Sequence, residues 1–284
     1  MRIRTIHLTF LFLILFCPLA QAFQLRGMDQ PESFIVDPAT GIYYVSNIVG
    51  SHNGKDNKAF IAKIDASGKL IDRHFISGGK NGVTLNAPKG LAISGNDLYV
   101  ADIDTVRRFD KESGKLLGTI DLALLGAKFL NGLALGPEGQ LFVSDTTGNV
   151  IFKIDPANNF QVTILAKGPG LDHPKGMVYE TLHQRLLVAT GGSGKIIAVD
   201  MQGNILTVFQ GAFKGLDGID LDRQGNMIVS SFTAGKIYRI KKYSTVEVLR
   251  KNLVTPADIS IDHKNNQVLV PSVDGNLVFT FPLK

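Results

Sequence analysis

A polar or charged side chain recurs at one position of a repeated sequence pattern, in most copies directly before a glycine. The five that could take part in chemistry are Glu32, Lys89, Asn131, Lys175 and Asp217. A carboxylate can act as a general base or bind a cation, an ammonium group can stabilise an oxyanion, and an amide can both donate and accept hydrogen bonds. The set therefore predicts a polar binding or catalytic site, provided that the fold brings the five positions together.

The sequence around these residues consists of short apolar runs separated by polar turns. In residues 215–240 three such runs are joined by two tight turns, one of which contains Asp222 and Gly225. Runs of about four to six residues that are rich in Val, Ile, Leu, Tyr and Phe, with Gly, Asn and Asp between them, are typical of β-strands. The pattern occurs six times, at residues 31–47, 88–102, 130–145, 174–190, 215–240 and 256–272.

Most copies begin about 40–45 residues apart, which is the period of a four-stranded propeller blade. A fourth apolar run follows the third in every copy except the last, which reaches Lys284 without one. Residues 23–26 could supply the missing strand beside residues 277–281 and close the ring, which removes exposed sheet edges. We therefore predict an all-β fold, a six-bladed β-propeller of four-stranded blades, in a single domain over residues 23–284.

The first 22 residues have the organisation of a secretory signal peptide. Basic residues precede the apolar stretch 8–16, and Ala20-Gln21-Ala22 is a small-residue cleavage site. The apolar stretch is too short for a stable transmembrane helix, and a retained membrane anchor is the less favoured alternative. We expect cleavage before Phe23 and a mature protein that is periplasmic or secreted, with no stable membrane span.

Cysteine usage and charge exclude several classes of function. Cys17 is the only cysteine and lies in the predicted signal peptide, so the mature chain has neither a thiol nucleophile nor a cysteine-ligated zinc site. Lipidation of this cysteine is disfavoured because the bulky Phe16 precedes it. The formal charge of +5 falls by two, to +3, when Arg2 and Arg4 are removed. The remaining basic residues are not clustered as in nucleic-acid-binding proteins, so we predict no nucleic-acid partner.

The first strand of each propeller blade lines the central channel, so the starts of the six first strands converge at one end of it. The five polar residues, with Ala257 and Asp258 of the sixth copy, are therefore expected around this upper mouth. Polar groups that only cap a solvated mouth would give the same pattern as a ligand site. His173, two residues before Lys175, is a further ligand-binding candidate, although a partly exposed loop histidine would have the same spacing.

Two other features are expected near the same mouth. Asp102 and Asp145 end second strands, where an aspartate usually binds loop amides, and Asp102 could instead pair with Lys89 of its own blade. The first copy also has an insertion at residues 50–58 after its second strand. This insertion is either a lid or wall of a ligand site, or a mobile polar loop.

Three copies, PESFIVDPATGIYYVSN, LNGLALGPEGQLFVSD and LDGIDLDRQGNMIVSS, resemble the regucalcin/gluconolactonase family. They are more loosely similar to NHL-repeat and strictosidine-synthase-like propellers. The resemblance implies a divalent metal, Ca²⁺, Zn²⁺ or Mn²⁺, at the top of the channel. Glu32 matches the family's first-blade glutamate ligand, Asp217 its fifth-blade aspartate, which is a ligand and a base, and Asn131 an asparagine that lines the pocket.

Lys175 departs from this family pattern, because it stands where the family has an asparagine ligand. A protonated lysine has no lone pair to offer a metal ion and repels it. Lys89 adds a second cation to the channel mouth. One interpretation is therefore a metal-free ring of salt bridges among the two lysines, Glu32 and Asp217, and another is that the lysines bind an anionic ligand.

Three functions are compatible with these residues. The first is hydrolysis of a lactone or related cyclic ester, in which the catalytic pair is Asp217, which activates water, and Lys175 or a bound cation, which stabilises the oxyanion. The second is a non-catalytic propeller whose upper face binds a small polar or anionic molecule, or a protein partner. A condensation reaction at Glu32, which the strictosidine-synthase-like similarity implies, is a third and weaker possibility. The fold class alone cannot decide between catalysis and binding.

Overall fold

Short antiparallel strands and tight turns make up most of the protein in the computed structural model, which describes residues 22–283. The predicted all-β fold is confirmed, since the strands form six four-stranded sheets arranged as the blades of a propeller. Among the described residues the only helical segments are three-residue 3₁₀ turns, such as Ala123–Leu125, and no helix is long and apolar enough to cross a membrane. The predicted signal peptide, including Cys17, lies outside the described residues except for Ala22.

The six predicted repeats correspond to the six blades. The first three blades consist of β2 (Pro31–Val36), β3 (Tyr43–Asn47), β4 (Phe60–Ile64) and β5 (Leu70–Ser77); β6 (Pro88–Ser94), β7 (Asp97–Asp102), β8 (Thr105–Asp110) and β9 (Leu116–Asp121); and β10 (Leu130–Leu135), β11 (Leu141–Asp145), β12 (Val150–Asp155) and β13 (Gln161–Lys167). The next two consist of β14 (Pro174–Glu180), β15 (Arg185–Thr190), β16 (Lys195–Asp200) and β17 (Ile205–Gln210); and β18 (Leu216–Leu221), β19 (Met227–Ser231), β20 (Lys236–Lys241) and β21 (Thr245–Arg250). The sixth contains β22 (Ser260–Asp262), β23 (Gln267–Ser272), β24 (Leu277–Pro282) and the N-terminal β1 (Gln24–Arg26).

The N-terminal strand closes the ring, as the sequence predicted. Strand β1 pairs antiparallel with β24, with Leu25 opposite Val278. The backbone carbonyl of Phe23 also accepts a hydrogen bond from the Thr280 N–H at 2.8 Å, and the Phe23 ring packs against Tyr43 of the first blade with 5.5 Å between ring centroids. The N-terminal segment therefore completes the last blade and also contacts the first.

A bulge in the first strand of five blades sets the position of the polar residues. In the third blade Leu130 pairs with Asp145 and Leu133 with Val143, so the two residues between them, Asn131-Gly132, are out of register. The corresponding residues of the other four blades are Glu32-Ser33, Lys89-Gly90, Lys175-Gly176 and Asp217-Gly218. Because a β-bulge re-aims a side chain relative to the regular alternation, it can turn each of these polar groups to the channel.

Glycines in these bulges let the first strands of adjacent blades approach closely. A Cβ atom on Gly132 would lie 2.6 Å from the Lys175 carbonyl oxygen, and one on Gly176 would lie 2.7 Å from that of Asp217. Only glycine avoids such a clash. We call the ring at this level the glycine collar, and its members are Ser33, Gly90, Gly132, Gly176, Gly218 and Asp258. Where Ser33 and Asp258 replace glycine, their side chains hydrogen-bond to each other at 2.8 Å.

Buried serines on the second strands of the first, third and fifth blades each connect their own blade to the following one. Ser144 Oγ accepts a hydrogen bond from the Gly132 N–H at 2.9 Å and donates one to the Lys175 carbonyl at 2.7 Å. Ser46 and Ser230 make the equivalent pair of bonds in the first and fifth blades. The backbone that carries the polar residues is therefore held by hydrogen bonds that cross the blade boundaries.

We expect Ser144→Ala to lower the free energy of unfolding by about 1–3 kcal/mol, because it leaves the Gly132 N–H and the Lys175 carbonyl buried with one bond fewer each. Urea denaturation followed by circular dichroism measures the change. The matched control is Ser244→Ala in an exposed turn, where the hydroxyl reaches only the Lys241 carbonyl at 3.4 Å, and it should change stability by less than about 0.5 kcal/mol. An equal effect of the two substitutions would show that the serine bridge does not stabilise the ring.

Candidate functional site

The five predicted polar residues are brought together at the upper mouth of the channel. They line a cavity of about 230 Å³, which we call the upper cavity. Its other lining residues are His52, Phe129, Gly191, Gly215, Leu216, Phe232, Thr233 and Val273. The convergence follows from the bulges, which place the equivalent residue of each blade at the same height around the axis. The cavity thus concentrates two lysines, two carboxyl groups and an amide in a small volume.

Lys175 and Asp217, from adjacent blades, form an ion pair in this cavity. The Lys175 Nζ atom donates a hydrogen bond to Asp217 Oδ2 at 3.2 Å. Burial acts to lower the pKa of Lys175, but the carboxylates of Asp217 and Glu32 outweigh it and raise the pKa above its usual value. Lys175 is therefore a stable ammonium group, and it is 23% exposed along its side chain, so it stays accessible to a molecule in the cavity.

Glu32 lies beside this ion pair, in surroundings that favour its protonated form. Burial raises the pKa of Glu32 well above its usual value, and the negative charges of Asp217 and Asp258 raise it further. The residue is only 5% exposed, and its Oε2 atom has no hydrogen-bond partner within the protein. A protonated Glu32 would present a hydroxyl donor to the cavity.

Lys89 is held by backbone groups rather than by a carboxylate. Its Nζ atom donates to the carbonyl oxygens of His52 at 2.8 Å and Ala87 at 2.9 Å, and it lies 4.2 Å from the centre of the Phe129 ring. Burial lowers the pKa of Lys89 to about 8, although the charges of Glu32 and Asp102 act in the opposite direction. Lys89 therefore connects the cavity to the insertion that carries His52.

The proposed direct pairing of Asp102 with Lys89 is wrong. The Asp102 carboxylate instead accepts hydrogen bonds from Arg107 Nε at 2.9 Å and from the backbone N–H groups of residues 86 and 87. Asp145 likewise binds the amides of Lys128 and Phe129. Both aspartates have the loop-binding role that is usual at strand ends, and Lys89 donates to backbone carbonyls instead.

Several polar atoms in the upper cavity have no hydrogen-bond partner within the protein. They are both side-chain atoms of Asn131, Asp217 Oδ1 and Glu32 Oε2. Asn131 is 1% exposed and Asp217 is 3% exposed, so these atoms are almost fully removed from bulk solvent. Because buried polar groups are nearly always paired, such a concentration is typical of a site that binds a polar molecule.

His173 is placed away from this cavity. It lies in the exposed turn before β14, where its N–H donates to Asn149 Oδ1 at 2.7 Å and its carbonyl accepts from Gly191. It is not one of the residues that line the upper cavity. Its φ of +61° belongs to the turn that leads into β14. The loop alternative for His173 therefore describes its position.

His52, in contrast, lines the cavity although the repeat pattern did not predict it. It lies in the 50–58 insertion, which has no counterpart in the other blades. The insertion was expected to be either a lid or wall of a ligand site, or a mobile polar loop. At His52 it forms part of the cavity wall. Burial and the positive charges of Lys89 and Lys175 lower the pKa of His52, which favours a neutral imidazole. Only the position of the insertion, after a second strand, indicated its proximity to the site.

The donor set of the upper cavity does not fit a divalent metal ion. Glu32, Asp217 and the Asn131 amide could offer oxygen atoms, but the Lys175 ammonium lies at hydrogen-bond distance from Asp217, where a metal ion would have to bind. Among residues 22–283 no group of three or more His, Cys, Asp or Glu side chains is arranged to hold a metal. The charge that a cation would neutralise is here neutralised by a lysine.

Comparison with known proteins identifies the fold but not a family. The sequence matches no protein-family model, and no curated protein matches it. Solved structures that share the fold include virginiamycin B lyase from Staphylococcus aureus, with 15% identity, 93% of this chain and 99% of that chain covered, and a TM-score of 0.65. A "putative gluconolactonase" is 16% identical over 92% of both chains, with a TM-score of 0.65.

A Bacteroides thetaiotaomicron protein of unknown function has a TM-score of 0.70 at 12% identity, with 93% of this chain and 72% of that chain covered. At these identities the likeness shows the six-bladed propeller fold alone. The predicted resemblance to gluconolactonase-type propellers is thus confirmed as a shared architecture.

We expect Lys175→Asn to create affinity for a divalent cation, because the substitution removes the ammonium and restores an oxygen donor beside Asp217. Calorimetric titration with Ca²⁺, Mn²⁺ and Zn²⁺ should show at least a tenfold gain over the unmodified protein, equivalent to about 1.4 kcal/mol. The control Lys69→Asn, in an exposed turn, removes the same charge and should gain nothing. No gain in the Lys175 variant would mean that another feature of the mouth excludes metal.

Burial raises the pKa of Asp258, in the glycine collar, to about 7. The negative charges of Asp217 and Asp220 add to this shift, whereas the Ser33 hydrogen bond and the Lys175 charge oppose it. An unfolded aspartate titrates near pH 4, so the folded state binds an extra proton between these values. The stabilising contribution is complete below about pH 4 and is lost as the pH rises through 7.

Asp258→Asn should therefore become more stable relative to the unmodified protein, by about 2–3 kcal/mol, as the pH rises from 5 to 8. Denaturation midpoints at several pH values measure this difference. Asp65→Asn is the control, because hydrogen bonds from Ser67 and Lys69 lower the pKa of this exposed-turn carboxylate and its titration falls below this window. Parallel pH profiles of the Asp258 variant and the unmodified protein would contradict the prediction.

Proposed function

We propose that the upper cavity binds a small polar molecule that carries a carboxylate or an ester carbonyl. The observation that supports this proposal is the set of buried polar atoms of Glu32, Asn131 and Asp217 that have no partner within the protein. These atoms offer both donors and acceptors, so the complementary ligand has both kinds of group. An apolar ligand would leave them unpaired, at about 1–3 kcal/mol for each buried group.

The charges of the cavity favour a monoanion. Lys89 and Lys175 are ammonium groups, Asp217 is a carboxylate in its ion pair with Lys175, and the shifted pKa values favour uncharged Glu32 and His52. The sum is one positive charge. The Lys89 ammonium already donates to two carbonyls, so Lys175 is the cation available to contact the ligand.

The size of the cavity restricts the ligand further. A volume of about 230 Å³ is below the roughly 300–1,000 Å³ that is usual for pockets of drug-sized ligands. Small hydroxycarboxylates and their cyclic esters are smaller than such ligands. A large ligand would have to extend out of the mouth past His52 or Phe232.

Hydrolysis of a small lactone is a second candidate function, and the two oxygens of Asp217 favour it. Oδ2 accepts from Lys175, whereas Oδ1 has no partner. In this proposal Lys175 donates a hydrogen bond to the ester carbonyl, and Asp217 Oδ1 accepts a proton from water as the water oxygen attacks the carbonyl carbon. The ring C–O bond then breaks, the ring oxygen takes the Glu32 proton, and Asp217 returns its proton to Glu32 through solvent.

The gluconolactonase description of one fold neighbour supports a lactone as the first substrate to test. The N-terminal sequence supports export, so we further propose that the protein acts in the periplasm or outside the cell. No metal has a role in this scheme, since the Lys175 ammonium supplies the positive charge at the carbonyl oxygen.

Binding and catalysis are separated by one panel of variants. We expect the protein to bind open-chain hydroxycarboxylates such as gluconate in calorimetry, and Asn131→Leu to lose at least tenfold in affinity because it removes both amide atoms at similar volume. If the protein is a hydrolase, pH-stat assays with glucono-δ-lactone and γ-butyrolactone will show turnover, and Asp217→Asn will lower kcat/KM by about a hundredfold or more.

His173→Ala is the matched control for both measurements, because this histidine lies in an exposed turn outside the cavity. Its affinity and kcat/KM should equal those of the unmodified protein. Binding without turnover would leave the non-catalytic function and reject the hydrolase. Failure to bind any small carboxylate or lactone would reject both.

A further inference from the structure

A second cavity lies on the channel axis at the other side of the glycine collar. It has a volume of about 260 Å³ and shares no lining residue with the upper cavity. Its walls come from all six blades, one to four residues after the position that precedes the glycine collar in each blade. We call it the lower cavity, and the six residues in equivalent positions around it are Ile35, Ala92, Ala134, Val178, Asp220 and Ser260.

The lining of the lower cavity is apolar except for two carboxyl groups, a serine and the phenolic hydroxyl of Tyr179. Leu91, Leu133, Met177, Ile219 and Ile259 add further apolar surface. Ser260 donates its hydroxyl to the Phe34 carbonyl at 2.7 Å and is therefore already paired. Asp220 and Asp258 are the acidic residues of the lining, and none of the described lining residues is Lys, Arg or His.

Asp220 is fixed in position by the backbone. Its Oδ1 atom accepts from the Leu221 N–H at 2.7 Å, and its Oδ2 atom accepts from the Ile261 N–H at 2.8 Å. Asp258 accepts from the Ser33 hydroxyl. Neither carboxyl group has an ion-pair partner among the described residues, whereas the buried Asp37 and Asp102 pair with Lys111 and Arg107.

One side of the lower cavity carries a carboxyl group and the opposite side carries small apolar residues, so a ligand with one charged end would bind in one orientation. In a closed ring of six blades, the fifth blade with Asp220 lies opposite the second with Ala92, and the small Ala134 is next to Ala92. The space that the two alanines leave is apolar. A cation with an apolar body could therefore place its charge at Asp220 and its body against the alanines.

We propose that the lower cavity is a binding site for a small organic ammonium ion with an apolar substituent. The apolar walls would bury the substituent, and the carboxylates would pair with the ammonium, which has no competing lysine or arginine in the lining. A neutral molecule of the same shape would leave Asp220 without a counter-charge. A hydrated metal ion would leave the apolar surface uncovered.

The ionisation of the two acids adds a pH dependence. Burial raises the pKa of Asp220 to about 6 and that of Asp258 to about 7. The titratable group that acts on Asp220 is His263, whose positive charge would lower the pKa of this acid. Those that act on Asp258 include Asp217, Glu32 and Lys175 of the upper cavity. Ammonium binding favours the ionised acids, so affinity should rise between pH 5 and pH 8.

The test is calorimetric titration of the full chain with cyclohexylammonium chloride and, as a neutral probe of the same shape, cyclohexanol. At pH 8 the ammonium should bind at least about tenfold more tightly than the alcohol. Asp220→Asn should weaken it at least tenfold, and Ala92→Leu should do the same by filling the space opposite. Asp65→Asn, which removes a charge at an exposed turn, should leave the affinity unchanged.

Melting curves of each variant establish that the ring is folded. Because Asp220→Asn and Ala92→Leu lie on opposite walls, the conclusion does not depend on a single variant. Equal affinities for the ammonium and the alcohol would overturn the proposal, as would binding that survives both Asp220→Asn and Ala92→Leu. Binding of Ca²⁺ or K⁺ that depends on Asp220, with no binding of the ammonium, would assign the cavity to a metal ion and also overturn it.

Discussion

The close approach of the six first strands at the glycine collar is the constraint on which the rest of the structure depends. At four of the six collar positions the neighbouring backbone leaves no room for a Cβ atom, as Gly132 and Gly176 show. The residues just before the collar are therefore crowded into one small mouth, whatever their charge. Ionisable groups that are crowded together and removed from water must compensate one another or give up their charge, and both outcomes are present. Lys175 pairs with Asp217, whereas burial and the neighbouring carboxylates raise the pKa of Glu32 and favour its neutral form.

The ion pair of Lys175 and Asp217 changes what the mouth can do without changing the backbone. A free divalent cation binds and leaves, and its site is selective through geometry. An ammonium group at the end of a side chain is always present. It donates hydrogen bonds, whereas a metal ion accepts lone pairs from its ligands. Breaking such a buried pair leaves an uncompensated charge, so both members are needed together. The upper cavity is therefore better suited to polarising or holding an anionic group than to coordinating metal.

The sequence predicted the fold and the ring of polar residues because both follow from local repetition. The closing strand was predictable too, since the sixth copy lacks a fourth apolar run and residues 23–26 were the strand candidate outside the repeats. The contribution of His52 was not predictable, because it lies in an insertion with no equivalent to compare. The partners of Lys89 also could not be inferred, because backbone carbonyls carry no sequence signal and here they, with the Phe129 ring, take the place of Asp102. Contacts between distant segments decide such details.

The pairing of β1 with β24 has a consequence for how the ring forms. The Phe23 amide bonds to a side chain 257 residues further along the chain, so this contact closes the longest loop in the described structure. Loop closure of that length is entropically unfavourable until the intervening blades are in place. The five blades built from consecutive strands can form while the last one is still open, and β24 then exposes an unpaired edge. Assembly should accordingly end with a slow locking step, and a partner that covers this edge would protect the unfinished ring from aggregation.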